Sequence, residues 1–219
     1  MASLKVKTVK PLLYNTLKDL MKCDLFLPFR LVGGTNLSLR EGHRISDDID
    51  LFSDYDYDSL DFSLFEDYLK NRFDYYDRPD KTDIVGFGRS YYIGDDKDNC
   101  IKLDLYYTDT FISPLEEIEG IRFAGLQDII AMKLEAIGNG GRKKDFWDIH
   151  YLLERYEIKD MLDFYIKRYP YNWQKEEVLQ KMVDFHEADE DFEPKCLLNK
   201  DWDIIKLDII EKVKPHLQI

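Results

Sequence analysis

The sequence predicts an α/β chain: a small mixed sheet flanked by helices over residues 1–124, then a helical region over residues 125–219. Three observations carry this. Apolar runs of strand length, bounded by glycine or polar clusters, fall in the first part; helical spacing stopped by glycine or proline fills the second; and two of the strand runs alternate acids with aliphatics at a period of two. The length suffices for one large domain or two small ones with a real core.

Residues 9–22 read as a helix. Pro11 is tolerated in its first turn, and Leu12, Leu13, Leu17, Leu20 and Met21 form the apolar stripe. Phe29 to Val32 is a short apolar strand that runs into Gly33-Gly34-Thr35-Asn36. The glycine pair is turn-like, and Thr35 or Asn36 is expected to cap a short helix through Arg40, where a phosphate would fit. The next strand, Asp48-Ile49-Asp50-Leu51-Phe52, points Ile49 and Leu51 to the core and Asp48 and Asp50 to the other face. Two carboxylates on one strand edge repel each other, and a divalent cation relieves that repulsion. Mg²⁺ suits them because it is hard, takes oxygen ligands and completes its shell with substrate phosphates. The glycine pair and the Asp-x-Asp pair therefore ask for one ligand, a metal-bound nucleoside triphosphate. Asp54, Asp56 and Asp58 have no apolar pattern to fix them and read as loop.

A helix follows from Ser59 to Phe73, then short strands from Thr82 to Tyr107 broken by Gly86, Gly88 and Gly94. In the last of them, Ile101, Leu103 and Leu105 share one face while Lys102, Asp104 and Tyr106 share the other. Asp104 has two readings: a solvated strand face, or an acid held there for a partner. After a strand at Gly120 to Phe123 come helices at 126–137, ended by Gly138-Asn139-Gly140-Gly141, and at 142–156. In the second of these, Lys144 and Asp148 stand at i, i+4, and the basic start Arg142-Lys143-Lys144 is either an ordinary charged helix start or a functional cluster. Helices at 160–168, 174–185 and 202–213 complete the chain. They carry no catalytic pattern: His186-Glu187 lacks the second histidine of a zinc-protease helix, and Glu187 to Glu193 is a loop or a partner surface.

With 31 Lys and Arg against 44 Asp and Glu, the net charge is −13, so attraction of the whole molecule to nucleic acid is not expected. A polyanionic substrate needs a local basic patch, and Arg40, His43, Arg44, Lys133, Arg142, Lys143 and Lys144 lie near the motifs. Cys23, Cys100 and Cys196 have no paired spacing, which suggests reduced thiols in a cytoplasmic protein. Neither a signal peptide nor a membrane span is expected.

Gly33-Gly34, a spacer and Asp48-Ile49-Asp50 resemble the first motif of the nucleotidyltransferase superfamily typified by DNA polymerase beta. The fuller text GGTNLSLREGHRISDDIDLF is similar to the AbiEii/AbiGii-type nucleotidyltransferase toxins, as is KLEAI followed by an arginine and KDFWDI, and the likeness covers residues 29 to about 155. It implies a nucleotidyltransferase-type fold and a two-ion Mg²⁺ site on Asp48, Asp50 and Asp104, the catalytic carboxylates. It further implies an NTP held by Gly33, Gly34, Thr35, Arg44, Ser46, Lys133, Arg142 and Lys144, with Asp145 and Asp148 orienting the cations. Which job falls to Lys133, Arg142 or Lys144 stays open. The implied reaction moves a nucleoside monophosphate from an NTP to an acceptor, with tRNA the acceptor in some relatives. Such proteins serve as the toxin of a toxin–antitoxin or phage-defence pair, with an antitoxin encoded nearby. A small-molecule acceptor, as in antibiotic nucleotidyltransferases, needs no basic surface and is the nearest alternative. A non-catalytic nucleotide- or partner-binding module is the alternative of a different class.

Overall fold

The computed structural model describes residues 3–82 and 84–217. The chain divides into two compact units: Met1–Glu41 with Ser46–Thr110 and Leu115–Ala124, and Gly42–Ile45 with Phe111–Pro114 and Gly125–Ile219.

In the first unit, the described residues form one seven-stranded sheet: β1 (Arg30–Leu31), β2 (Asp48–Ser53), β3 (Tyr75–Asp77), β4 (Gly88–Gly94), β5 (Cys100–Tyr107), β6 (Glu116–Ile118) and β7 (Ile121–Phe123). The spatial order is β3-β4-β5-β2-β1-β7-β6. Strand β2 runs parallel to β5 and antiparallel to β1, and β1 runs parallel to β7, so the sheet is mixed. Burial alternates along β2 and along β5 as far as Tyr106: Ile49, Leu51, Ile101, Leu103 and Leu105 are buried, while Asp48, Asp50, Lys102 and Asp104 are half-buried on the other face. The edge strands β3 and β6 have the sequences YYD and EEI, too short and too uniform to show a period.

Three helices accompany the sheet: α1 (Pro11–Lys22), α2 (Gly33–Glu41) and α3 (Phe62–Arg72). Leu13, Leu17 and Leu20 of α1 are fully buried in the apolar cluster of this unit, each such side chain contributing roughly 1.5–3 kcal/mol. Phe29 and Phe62 pack edge to face on Phe65 beside them, and Phe26 meets the same ring tilted. Helix α3 begins after Asp61, whose carboxylate accepts the Ser63 N–H at 3.0 Å, rather than at Ser59. Helix α2 starts directly at Gly33, so Thr35 and Asn36 lie inside it and cap nothing. Both are fully buried, and the Thr35 hydroxyl and the Asn36 amide nitrogen bond to residues in or beside the neighbouring strands, while Asn36 Oδ1 is buried without a hydrogen-bond partner. Thr35 donates to the Asp48 carbonyl and shares a hydrogen bond with Ser46 Oγ (2.9 Å); the Asn36 amide donates to the carbonyls of Leu31 (2.7 Å) and Ala124 (3.0 Å).

The second unit is helical: α4 (Leu126–Gly138), α5 (Lys143–Leu152), α6 (Ile158–Arg168), α7 (Lys175–Met182), α8 (His186–Asp189) and α9 (Trp202–Val213). The helical pattern over 174–185 ends early, at Met182; Asp184 then accepts the His186 N–H and starts the separate turn α8. Asp128 and Arg168 form a fully buried ion pair at 2.7 Å. Asp128 also accepts the N–H groups of Ile112 (2.8 Å) and Ser113 (3.1 Å), which ties residues 111–114 into this unit. Trp147 stacks on Trp202 with centroids 5.8 Å apart, and all three tryptophans of the chain belong to this unit. Among the described residues no helix is long and apolar enough to cross a membrane, and the three cysteines are free thiols.

Candidate active site

Parallel pairing of β2 with β5 sets Asp50 opposite Asp104 and Asp48 opposite Lys102. Residues paired in register point to the same face, so the three carboxylates and the Lys102 ammonium emerge together from adjacent strands. The apolar residues between them are anchored in the core, which fixes the register: a slip of one residue would turn every acid inward.

Within this group the Lys102 Nζ donates to Asp104 Oδ2 at 2.6 Å. Burial alone would lower the Lys102 pKa, but the hydrogen bond to Asp104 and the negative charges of Asp104, Asp48 and Asp50 outweigh it and raise it above the ordinary value. The other oxygen of the same carboxylate, Asp104 Oδ1, is buried with no hydrogen-bond partner. Among the described residues no three His, Cys, Asp or Glu side chains are gathered closely enough to hold a metal ion as they stand. The donor set nevertheless fits a hard divalent cation: three carboxylates on one sheet face, one carrying an oxygen without a partner.

Gly33 closes this group from the side. Its φ is +67°, and a methyl group added there would overlap the Asp50 carboxylate, so only glycine allows the main chain so near. Gly34 follows in the first turn of α2, half-buried. Thr35 and Ser46 hydrogen-bond each other, and Thr35 also holds the Asp48 carbonyl, so in this structure these hydroxyls brace the strand that carries Asp48 and Asp50.

The second unit gathers another set of the site residues: Arg44, Lys133, Asp145 and Asp148, all buried. Asp148 takes two bonds from the Arg44 guanidinium (2.6 and 2.7 Å), one from His43 Nε2 (2.7 Å) and the Lys133 ammonium (2.8 Å). Lys133 also donates to Asp145 at 2.6 Å, and the second oxygen of Asp145 accepts the Arg142 N–H at the start of α5. Two cations meet two anions here, and all four side chains are buried. Burial would push the Asp148 carboxyl up, but Arg44, Lys133 and the hydrogen bonds from Arg44 and His43 hold it well below the usual carboxylate range. Burial likewise pulls Lys133 down, and the charges of Asp145 and Asp148 more than offset that, leaving its pKa raised. His43 stacks on Tyr151 at 5.0 Å. Nothing in the local sequence marks His43 or Arg44 as partners of a residue more than a hundred positions away.

Arg142 stands apart from that network through its side chain. It is the N-cap of α5, and its guanidinium pairs with Asp191 at 3.2 and 3.3 Å. Lys144 lies half-buried on the first turn of α5.

A family model described as "Nucleotidyl transferase AbiEii toxin, Type IV TA system" matches residues 15–216. An uncharacterized protein of Aquifex aeolicus (strain VF5) is 29% identical over 215 residues, which span 93% of this chain and 95% of that protein. JHP933 from Helicobacter pylori has a similar structure, with a TM-score of 0.56 at 20% identity over 98% of this chain and 94% of that one. MenT4, a nucleotidyltransferase toxin from Mycobacterium tuberculosis H37Rv, gives a TM-score of 0.57 at 10% identity over 92% and 82%. At such identities the two solved structures speak to the fold alone.

Proposed function

The chain belongs to the AbiEii family of nucleotidyl transferase toxins of type IV toxin–antitoxin systems, and from that premise we propose that it is a Mg²⁺-dependent enzyme that transfers a nucleoside monophosphate from an NTP to RNA, with tRNA the first candidate acceptor. The observation that carries this reading is the emergence of Asp48, Asp50 and Asp104 on one face of two adjacent parallel strands, with a buried Asp104 oxygen that has no partner.

In this reading Asp48, Asp50 and Asp104 would hold two Mg²⁺ ions, which would supply charge neutralisation for the triphosphate and activation of the acceptor hydroxyl. Asp104 takes the proton of that hydroxyl. The acceptor oxygen bonds to the α-phosphorus, the bond from that phosphorus to the bridging oxygen breaks, and pyrophosphate leaves with the electron pair. Gly33 and Gly34 let the main chain approach the phosphates, and Thr35 and Ser46 keep the strand in place. Lys133 and Arg44, kept ionised and oriented by Asp145 and Asp148, supply positive charge for the phosphates, while Arg142 and Lys144 serve the phosphates or the acceptor. The protein would act in the cytoplasm against a neighbouring-gene antitoxin, in phage defence.

One observation favours a second acceptor class. The chain carries −13 charge, which suits a small molecule better than a long polyanion. Incubating the protein with each α-labelled NTP separately, Mg²⁺ and total RNA distinguishes the two. The proposal expects label on RNA from one preferred NTP and none with EDTA; label only on small metabolites overturns the RNA acceptor, and undiminished transfer in EDTA overturns the metal.

A further inference from the structure

Helix α9 is apolar on two faces. Trp202, Ile205, Ile209 and Val213 are buried within the helical unit, while Ile204, Leu207 and Ile210 are 50%, 61% and 37% exposed. A helix that is apolar all round is expected to be covered on both sides. Leu207 and Ile210 continue into a seam with Asp203 before them and Lys214 after them, at spacings of four, three and four residues. That is the spacing with which one helix meets another along its length. Lys214 lies just past the last turn and keeps right-handed helical torsions (φ −50°, ψ −40°), so the seam runs unbroken for about 16 Å.

We propose that this seam is a self-association surface: α9 packs antiparallel against α9 of a second copy of the chain, across a two-fold axis that passes between Asp208 and Ile209. The charges at the two ends of the seam choose this occupant. In an antiparallel pair so centred, Leu207 lies level with Ile210 of the partner subunit, and Asp203 lies level with Lys214 of the partner subunit. The two-fold axis repeats both pairings, so apolar contacts fill the middle and an ion pair closes each end.

Other arrangements of the same two helices lose this match. A parallel pair would set acid beside acid at one end and lysine beside lysine at the other, and like charges repel. Sliding the antiparallel pair by one turn takes Leu207 off its apolar partner and each lysine off its acid. Asp203 already accepts the Lys206 ammonium at 3.1 Å, but its side chain is 81% exposed and has room for a second cation. Ile204 stands beside the seam and widens its apolar strip. One helix pair is at the small end of stable interfaces, so the association is reversible, with Kd on the order of 10–100 µM.

Sedimentation equilibrium of the full chain over roughly 5–500 µM is the test. The wild type should pass from monomer to dimer across that range. Leu207→Glu, at an exposed position, should raise Kd about tenfold or more. Asp203→Lys and Lys214→Asp should each raise it about threefold, and the variant carrying both, which exchanges the charges at each end, should recover the wild-type Kd. A wild type that stays monomeric throughout, or a dimer indifferent to Leu207→Glu, overturns the proposal. A double variant no better than the single ones overturns the antiparallel pairing. A second measurement needs no variant: amide hydrogen exchange across residues 202–214 of the wild type should slow as protein concentration rises, and exchange there that is independent of concentration overturns the proposal.

Discussion

Two charged clusters, one in each unit, use the same side-chain chemistry to opposite ends. In the helical unit Arg44 and Lys133 meet Asp145 and Asp148 with full burial, balanced charge and four hydrogen bonds on one carboxylate. In the sheet unit Asp48, Asp50, Asp104 and Lys102 emerge partly exposed on one face, and one Asp104 oxygen is buried without a hydrogen-bond partner. A buried network tolerates ions only when each is paired, because an uncompensated charge there costs several kcal/mol. A partly exposed group is under no such constraint, because water screens its charges. The contrast teaches what each burial implies: the buried cluster keeps its own cations ionised and oriented, and the half-buried carboxylate face stays accessible to a ligand.

The largest effect that tests this contrast is on catalysis. Asp50→Asn should lower nucleotidyl transfer by about 10⁴-fold or more, equivalent to ~5 kcal/mol of barrier, with a melting temperature close to that of the wild type. A collapse in stability with unchanged specific activity would reverse the assignment of roles. Asp148→Ala should act the other way. It leaves Arg44, Lys133 and His43 buried without their shared acceptor, which should cost about 3–5 kcal/mol. Because Trp147, Trp173 and Trp202 all belong to the helical unit, urea unfolding followed by tryptophan fluorescence reads that loss directly. A loss below about 1 kcal/mol would show that the network is not holding the unit together.

A smaller effect sharpens the comparison through pH. The folded protein holds Asp148 below its ordinary pKa, so its contribution to stability is present in full above about 3.9 and is lost as the pH falls through the depressed folded value. Lys133 is raised, so its contribution is complete below about 10.4 and is lost as the pH climbs through the higher folded value. Stability read by tryptophan fluorescence should be flat with respect to these two groups between roughly pH 5 and 9, and Asp148→Ala should soften the acid limb.

What was legible in the sequence follows the range of the interactions. Strands β2 and β5 announce themselves because acids and aliphatics alternate, and that alternation is the same physical fact as one face in the core and one face carrying the carboxylates. Lys102 was visible on the Asp104 face by the same rule, but its bond to Asp104 depends on a rotamer that no pattern encodes. Thr35 and Asn36 looked like helix caps by residue type; they lie inside α2 because the chain enters the helix straight from β1 and buries them against strands. The partners of Asp148 are 104 and 105 positions away in sequence, so spacing carries no signal of them. Arg122, buried and donating to the carbonyls of Met21, Phe26 and Phe29, is equally invisible for the same reason. The acidic stretch Glu187 to Glu193, ambiguous between loop and partner surface, is used within the unit: Asp191 pairs with Arg142, and Asp189 accepts from Trp202 Nε1 and Lys206.

The most direct measurement of the central claim is single-turnover transfer from an α-labelled NTP by the wild type and by Asp104→Asn, each across a Mg²⁺ titration. The carboxylate account predicts transfer that rises with Mg²⁺ in the wild type and stays at background in the folded variant at every concentration. Transfer by Asp104→Asn at the wild-type rate, with the same Mg²⁺ dependence, would contradict it.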